Sequence, residues 1–379
     1  MRDFVRTSES VTMGHPDKLC DRISDAVVDA WLAEGGRAGV AAECAIASGV
    51  AFLSIRSGAA EPVDAAALAR RVVAEAGYPA EDGHAAMTVI LELSRDAELA
   101  PDRLGAGPGR QMVTAFGYAS DALPCGMPAP IALAHRLTGG LDAARADGRL
   151  GWLTPDGKVQ VAVRHAGRRP VEVLALALTL GTLEPIGTAS VEAAVRAEVI
   201  DPALAALALP LAPEAAVDIA VSAQAAGPVA HTGLTGRKTA DDGYGAYIHQ
   251  SGSALSGKDP SRLDRIADYA ARHAARGIVA AGLAREVEVQ LSYLPGHARP
   301  FDVEIDTHGS GARPDAQIRR RLTEAVDLRA GAIAERLGLW ELPARHGGRF
   351  YQRLAAHGQI GRHDIELPWD APDLADALA

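Results

Sequence analysis

Apolar residues recur every four positions at Leu19, Ile23, Val27 and Trp31, and this spacing predicts a helix over Pro16 to Glu34. Pro16 suits the first helical turn, and Gly35-Gly36 marks the end. Runs of apolar and β-branched residues follow at Val40 to Ile46 and Val50 to Ile55 and predict strands. The order then repeats. A helix is expected from about Ile131 into Asp142–Arg145, with a break at Gly139-Gly140, followed by strands at Val159 to Val163 and Val171 to Leu178. A third helix is expected to start on the pair Asp259-Pro260 and run to about Leu283, before strands at Val287 to Tyr293 and Phe301 to Ile305. A helix followed by paired strands, three times over, predicts an α+β protein of three similar layered units. Linkers are expected at Ala97 to Gly109 and at Gln224 to Pro228, and the acidic tail from Pro368 is expected to lie on the surface or fray.

The 379 residues suffice for two or three domains with a full core. The formal net charge of −10 argues against nonspecific binding to nucleic acid or anionic membranes. An anionic ligand must then be held by a local cluster of positive charge. The longest apolar stretch, Val171 to Leu180, is too short to span a membrane. Met1 to Ser10 carries charges and no apolar core, so no signal peptide is expected. Cys20, Cys44 and Cys125 form no metal-ligand or redox spacing and read as thiols of a reducing cytoplasm.

Lysine occurs at only four positions, Lys18, Lys158, Lys238 and Lys258, in a chain that otherwise uses arginine. An ammonium is a compact point charge with three rotatable donors, unlike the planar guanidinium. Lys18 closes Gly14-His15-Pro16-Asp17-Lys18 at a helix start, where free N–H groups favour anions and a carboxylate can hold Mg²⁺. Lys158 follows Asp156-Gly157, which alone reads as a turn. Lys238 ends Gly233-Leu234-Thr235-Gly236-Arg237-Lys238, whose glycines permit close backbone approach to a ligand. Lys258 stands in Gly252 to Lys258 with the G-x-x-x-x-G-K spacing of a phosphate loop. The Ser/Thr of a true P-loop is missing, so a small-residue anion loop is expected instead. Gly105 to Gly109 is read as a flexible lid. Together with Asp17 and Asp264, these motifs suggest one Mg²⁺–polyphosphate site.

These motifs resemble the S-adenosylmethionine synthetase (methionine adenosyltransferase) family over nearly the whole chain. The resemblance is carried by Ser8-Glu9-Ser10-Val11, Gly14 to Lys18, Ile23 to Val27, Met127 to Ile131 and Ala134 to Leu137. It continues through Gly233 to Lys238, Ser256 to Ser261, Ile278 to Ala284, Asp327-Leu328-Arg329 and Gly361-Arg362. It implies three interleaved, pseudo-threefold-related α+β domains, at 1–98, 105–223 and 227–370, in a homodimer or tetramer with sites between subunits. The implied substrates are ATP and methionine, with Mg²⁺ and K⁺. By matched position, His15, Lys158, Arg237 and Lys238 are the catalytic residues. His15, Lys18, Asp156, Lys158, Arg237, Lys238, Ala254 and Lys258 hold ATP and its triphosphate. The same resemblance implies that Asp17 and Asp264 bind Mg²⁺ and that Glu43 takes the K⁺ carboxylate position.

Departures from the family pattern gather on the substrate side. Arg56 stands where the family has a Glu beside the amino-acid substrate, and Ser94-Arg95-Asp96 lacks the family Gln. Gln111 and His231 replace two aspartates, Ala223 replaces the adenine-packing Phe, and Arg262 replaces a Lys. Two further readings therefore stand beside methionine adenosylation. One is a diverged paralogue that spends the same triphosphate chemistry on another acceptor or nucleotide, by adenosyl transfer, phosphoryl transfer or tripolyphosphate hydrolysis. The other is a nucleotide-sensing partner without catalysis.

Overall fold

The computed structural model describes residues 3–33, 37, 39–61, 63–78, 87–99, 110–222 and 227–379. The first third holds β1 (Phe4–Val11), α1 (Pro16–Leu32), β2 (Val40–Ala47), β3 (Val50–Ser57), α2 (Ala65–Glu75) and β4 (Thr88–Arg95). The middle holds β5 (Val113–Ser120), α3 (Ala129–Ala146), β6 (Leu153–Ala166), β7 (Arg169–Thr182), α4 (Thr188–Val195), α5 (Asp201–Leu207) and β8 (Leu211–Ser222). The last third holds β9 (Gly233–Leu234), α6 (Thr239–Asp242), α7 (Leu263–Ala280), β10 (Glu286–Tyr293), β11 (Asp302–Asp306) and α8 (Asp315–Ala325), followed by short helical turns.

The strands form three sheets, in the orders β4-β3-β2-β9, β1-β6-β7-β8 and β11-β10-β5. One long helix packs on each: α1 on β2 and β9, α3 on β6 and β1, and α7 on β5 and β10. The expected α+β class and its three layered units are thus present. The sheets are interleaved in sequence, because β1, β5 and β9 each pair outside their own stretch of chain. In β2 and β3, Val40, Ala42, Cys44, Ile46, Leu53 and Ile55 alternate inward onto Leu19, Ile23 and Val27 of α1. A half-buried strand gives this period of two.

α1 also carries a second period of four that the apolar pattern hides. Asp17, Asp21, Asp25 and Asp29 are all buried. Each accepts backbone N–H groups from the last third of the chain. Asp17 takes Leu234 at 3.0 Å, Asp21 takes Gly236 at 2.7 Å and Asp25 takes Gly257 at 2.8 Å. Asp29 takes Tyr351 at 2.9 Å and Gln352 at 2.8 Å. A buried carboxylate is tolerated only when it is hydrogen-bonded or paired. These bonds therefore fix the loops that carry Arg237, Lys238 and Lys258 against α1.

The structure corrects three expected boundaries. α3 runs unbroken through Gly139-Gly140. A Cβ on Gly140 would lie 3.1 Å from Val199 Cγ1, so the small residue admits a neighbouring helical segment and does not break the helix. α7 starts at Leu263, not at Asp259-Pro260. The Asp259 carboxylate is committed elsewhere, accepting from Val40 N at 2.8 Å and Ser261 N at 2.6 Å. The tail is no frayed end, since Trp369 is fully buried and stacks on Tyr269 at 3.7 Å. The end of the α1 pattern at Glu34 and Gly35-Gly36, most of both expected linkers, the Gly105–Gly109 lid and Ala223 lie outside the described residues.

Among the described residues, the outer face of the β4-β3-β2-β9 sheet is open. Ile90, Phe52, Ala45 and Leu234 stand in register across its four strands. Ile90 is 52% exposed and Phe52 45%. Glu43 and Arg56 point to the same face, because they keep the parity of Ala45 and Phe52 along their strands.

Candidate active site

His15 caps the N-terminus of α1, its Nδ1 accepting from Asp17 N at 3.2 Å. Gly14 has no room for a side chain, since a Cβ there would lie 2.5 Å from Pro155. That close approach brings His15 onto β6 beside Asp156. Gly233 acts in the same way on the other side: a Cβ there would meet the Pro16 carbonyl at 2.2 Å. Gly233 thus admits the chain's own backbone, and Gly236 the Ala254 side chain, where the sequence suggested approach to a ligand.

Around His15 the structure gathers five expected residues. Asp17 is buried, with Lys238 Nζ on its Oδ2 at 2.5 Å and Arg237 Nη1 at 3.7 Å from its Oδ1. Burial pushes the Asp17 carboxyl up, but the Lys238 ammonium and the Leu234 N–H together hold it below the usual carboxylate range. Asp156 accepts from Gly227 N at 2.9 Å and meets His231 Nε2 at 2.7 Å. The His15 and His231 rings pack edge to face with centroids 5.0 Å apart. Burial drives the His15 pKa down to about 4, against the pull of Asp156, so the ring is neutral near pH 7. With Nδ1 accepting, the hydrogen-bond network assigns the proton to Nε2.

A second group forms at the start of α7. Gln111 Oε1 accepts from Leu263 N at 2.8 Å, and its amide donates to Asp264. Lys258 Nζ stands 3.5 Å from Asp264 Oδ2. Burial lowers the Lys258 pKa below the usual lysine range, against the attraction of Asp264 and Glu43. Arg262 occupies the N-cap position of α7, with Nε buried. The two groups meet through Ala254, whose Cβ lies 2.4 Å from where a Cβ on Gly236 would stand. On β6, Asp156 and Lys158 share the face turned away from the buried Val159 and Val161, and Lys158 Nζ pairs with Glu9 at 2.7 Å.

Two expectations change here. Lys18 is completely buried, with Nζ 2.5 Å from Asp242 and 3.2 Å from Asp21, so it holds the core where the sequence suggested a phosphate contact. The anion loop has already spent the Gly257 N–H, which donates to the Asp25 carboxylate. Sequence reasoning also missed Asp21, Asp25 and Glu9 as the partners that position these cations. The four-residue recurrence of Asp along α1 was the available signal for the first two.

A site of this kind, with lysines resting on carboxylates at the starts of two helices, is matched by sequence throughout. Sequence models of the S-adenosylmethionine synthetase N-terminal, central and C-terminal domains match residues 3–96, 105–224 and 225–371. The chain belongs to the S-adenosylmethionine synthetase family. It is 38% identical to an S-adenosylmethionine synthase of Nostoc punctiforme (strain ATCC 29133 / PCC 73102), over 100% of this chain and 96% of that protein. It is 40% identical to one from Prochlorococcus marinus (strain MIT 9313), over 100% of this chain and 97% of that protein. The family accounts for the three α+β units. No helix among the described residues is long and apolar enough to cross a membrane.

Proposed function

We propose that this protein makes S-adenosylmethionine, phosphate and diphosphate from ATP, L-methionine and water. The observation that carries the reading is the pairing of Lys238 with Asp17 and of Lys258 with Asp264. Both carboxylates are hard oxygen donors of the kind Mg²⁺ takes, and each already holds a cation. Mg²⁺ bound there, together with the released lysines, would neutralise triphosphate oxygens. Glu43 would supply one charged oxygen to K⁺.

In the first step the methionine sulfur lone pair attacks C5′ of ATP. The C5′–O bond breaks, and its electron pair leaves on the triphosphate oxygen. His15 is neutral and presents Nε2–H, so it would donate a hydrogen bond to that oxygen as charge develops. Arg237, Lys238, Lys258 and Lys158 would hold the phosphates, and Asp156 and Ala254 would line the nucleotide site. Water then adds to a terminal phosphorus, and one P–O–P bond breaks. Arg56 would pair with the methionine carboxylate, where the family Glu faces the ammonium.

The decisive test incubates purified protein with ATP, methionine, Mg²⁺ and K⁺ and follows products by mass spectrometry. S-adenosylmethionine is expected, with phosphate and diphosphate in equal amounts. Tripolyphosphate cleavage without any S-adenosylmethionine would overturn the reading.

The active assembly is proposed to be a homodimer formed through the outer face of the β4-β3-β2-β9 sheet. Its apolar row across four strands supports this, since exposed apolar patches of this kind mark contact surfaces. A second copy would also cover Glu43 and Arg56. Ile90→Asp is expected to yield monomers in size-exclusion chromatography with light scattering, and to lower activity at least about tenfold, the loss expected from a site left incomplete. An unchanged mass would place the contact elsewhere.

A further inference from the structure

His231 does more than replace a family carboxylate. It completes a triangle with His15 and Asp156 whose ligand atoms all lie within 4.8 Å of one another. We infer that His15, Asp156 and His231 form a binding site for a divalent transition-metal ion of the Zn²⁺ class, separate from the carboxylates proposed for Mg²⁺.

The donor set selects the ion. Two imidazoles and one carboxylate suit Zn²⁺, Co²⁺ or Ni²⁺, whereas Mg²⁺ prefers oxygen and keeps its waters. Three protein ligands with a solvent-facing side leave a coordination position open to water. To meet one ion at about 2.0–2.1 Å, the three atoms must settle about 3.3 Å from one another, so His231 Nε2 and Asp156 Oδ2, now 2.7 Å apart, open slightly while the wider separations, up to 4.8 Å, close. His231 can make that movement, because its side chain is 44% exposed. Asp156, at 12%, is held by the Gly227 N–H, so the carboxylate stays as the fixed corner.

Ligation through His15 Nε2 requires the ring proton to sit on Nδ1. There it gives up the 3.2 Å contact from Asp17 N and can turn to the Asp17 carboxylate, whose Oδ2 lies 3.9 Å from Nδ1. A ring N–H held by a carboxylate behind the ligand nitrogen is the usual support of a metal-bound histidine. At His231, binding through Nε2 replaces its present bond to Asp156. An ion so bound withdraws His15 from the leaving oxygen of ATP and would antagonise the reaction. That consequence rests on the proposed function, whereas metal binding itself does not.

The experiment titrates Co²⁺ into purified full-length protein and records visible absorption, with equilibrium dialysis of Zn²⁺ alongside. One ion per chain is expected, with d–d bands of a four- or five-coordinate site. His231→Ala and His231→Asn should each weaken binding by more than the about 10–100-fold that loss of a mere supporting group causes. Circular dichroism should show both variants folded, and the exposure of His231 favours this. No stoichiometric binding by the wild-type chain would overturn the inference. So would equal affinity in both variants, or an intense near-ultraviolet thiolate band that placed the ion at Cys20 and Cys44.

Discussion

Lys18→Met is expected to destabilise the protein by about 3–5 kcal/mol, the usual cost of removing one partner from a buried ion pair. Lys18 has no exposed surface, and its ammonium lies between Asp21 and Asp242, both buried as well. The substitution leaves two carboxylates facing each other without a counter-charge. Burial already raises the Asp21 pKa to about 7, even though Lys18 pulls it down, and burial likewise raises that of Asp242. Removing the lysine raises both further. A carboxyl whose folded pKa is raised binds its proton more tightly in the folded state than in the unfolded chain. Stability from it is present at low pH and lost as pH rises through the folded value. The deficit of Lys18→Met should therefore grow from pH 5 to pH 8 and be smallest in acid. Urea midpoints across that range measure it. Adding Asp242→Asn should recover part of the loss, because it removes one of the two stranded charges. A lysine that bound phosphate would behave otherwise, with normal stability and a raised KM for ATP.

Lys18 shows where reading the chain reached its limit. Local periodicity suffices for α1, β2, β3, β6, β7, β10 and β11, because burial of one face is written every two or four residues. The motifs around His15, Lys238 and Lys258 were legible because lysine is scarce and stands in Gly-containing motifs. Whether a lysine faces a cleft or the core is not a local property. Of the two partners of Lys18, Asp21 is one turn away but Asp242 is 224 residues away, and neither distant position alone carries the information. The same holds at Gly140, where a residue that reads as a break is kept for Val199, and at Asp259, whose capping oxygens are drawn to Val40. The Asp17, Asp21, Asp25 and Asp29 series was visible as a spacing. Its meaning required the loops at Leu234, Gly236, Gly257 and Tyr351, which the chain returns to α1 only in its last third.

Lys238→Met, by contrast, is expected to fold and to lose about 10²–10³-fold in kcat, the loss that follows removal of one donor to a developing oxyanion. Its ammonium is partly exposed and rests on the buried carboxylate of Asp17. Asp17 keeps the Leu234 N–H, and Arg237 stays beside it, so the cost to stability should be about 1–3 kcal/mol. The larger effect falls on chemistry. Triphosphate gains charge as C5′–O breaks, so a cation that meets it there stabilises the transition state more than bound ATP. KM for ATP should accordingly change far less than kcat, and steady-state measurement of S-adenosylmethionine formation separates the two. A kcat within tenfold of wild type would remove Lys238 from the catalytic set. The two lysines carry the same charge and each sits within 2.5 Å of a carboxylate. What separates them is access. The partners of Lys18 are sealed with it in the core, whereas Lys238 is partly exposed and, on the proposed function, would exchange Asp17 for a phosphate oxygen while Asp17 took Mg²⁺ in its place.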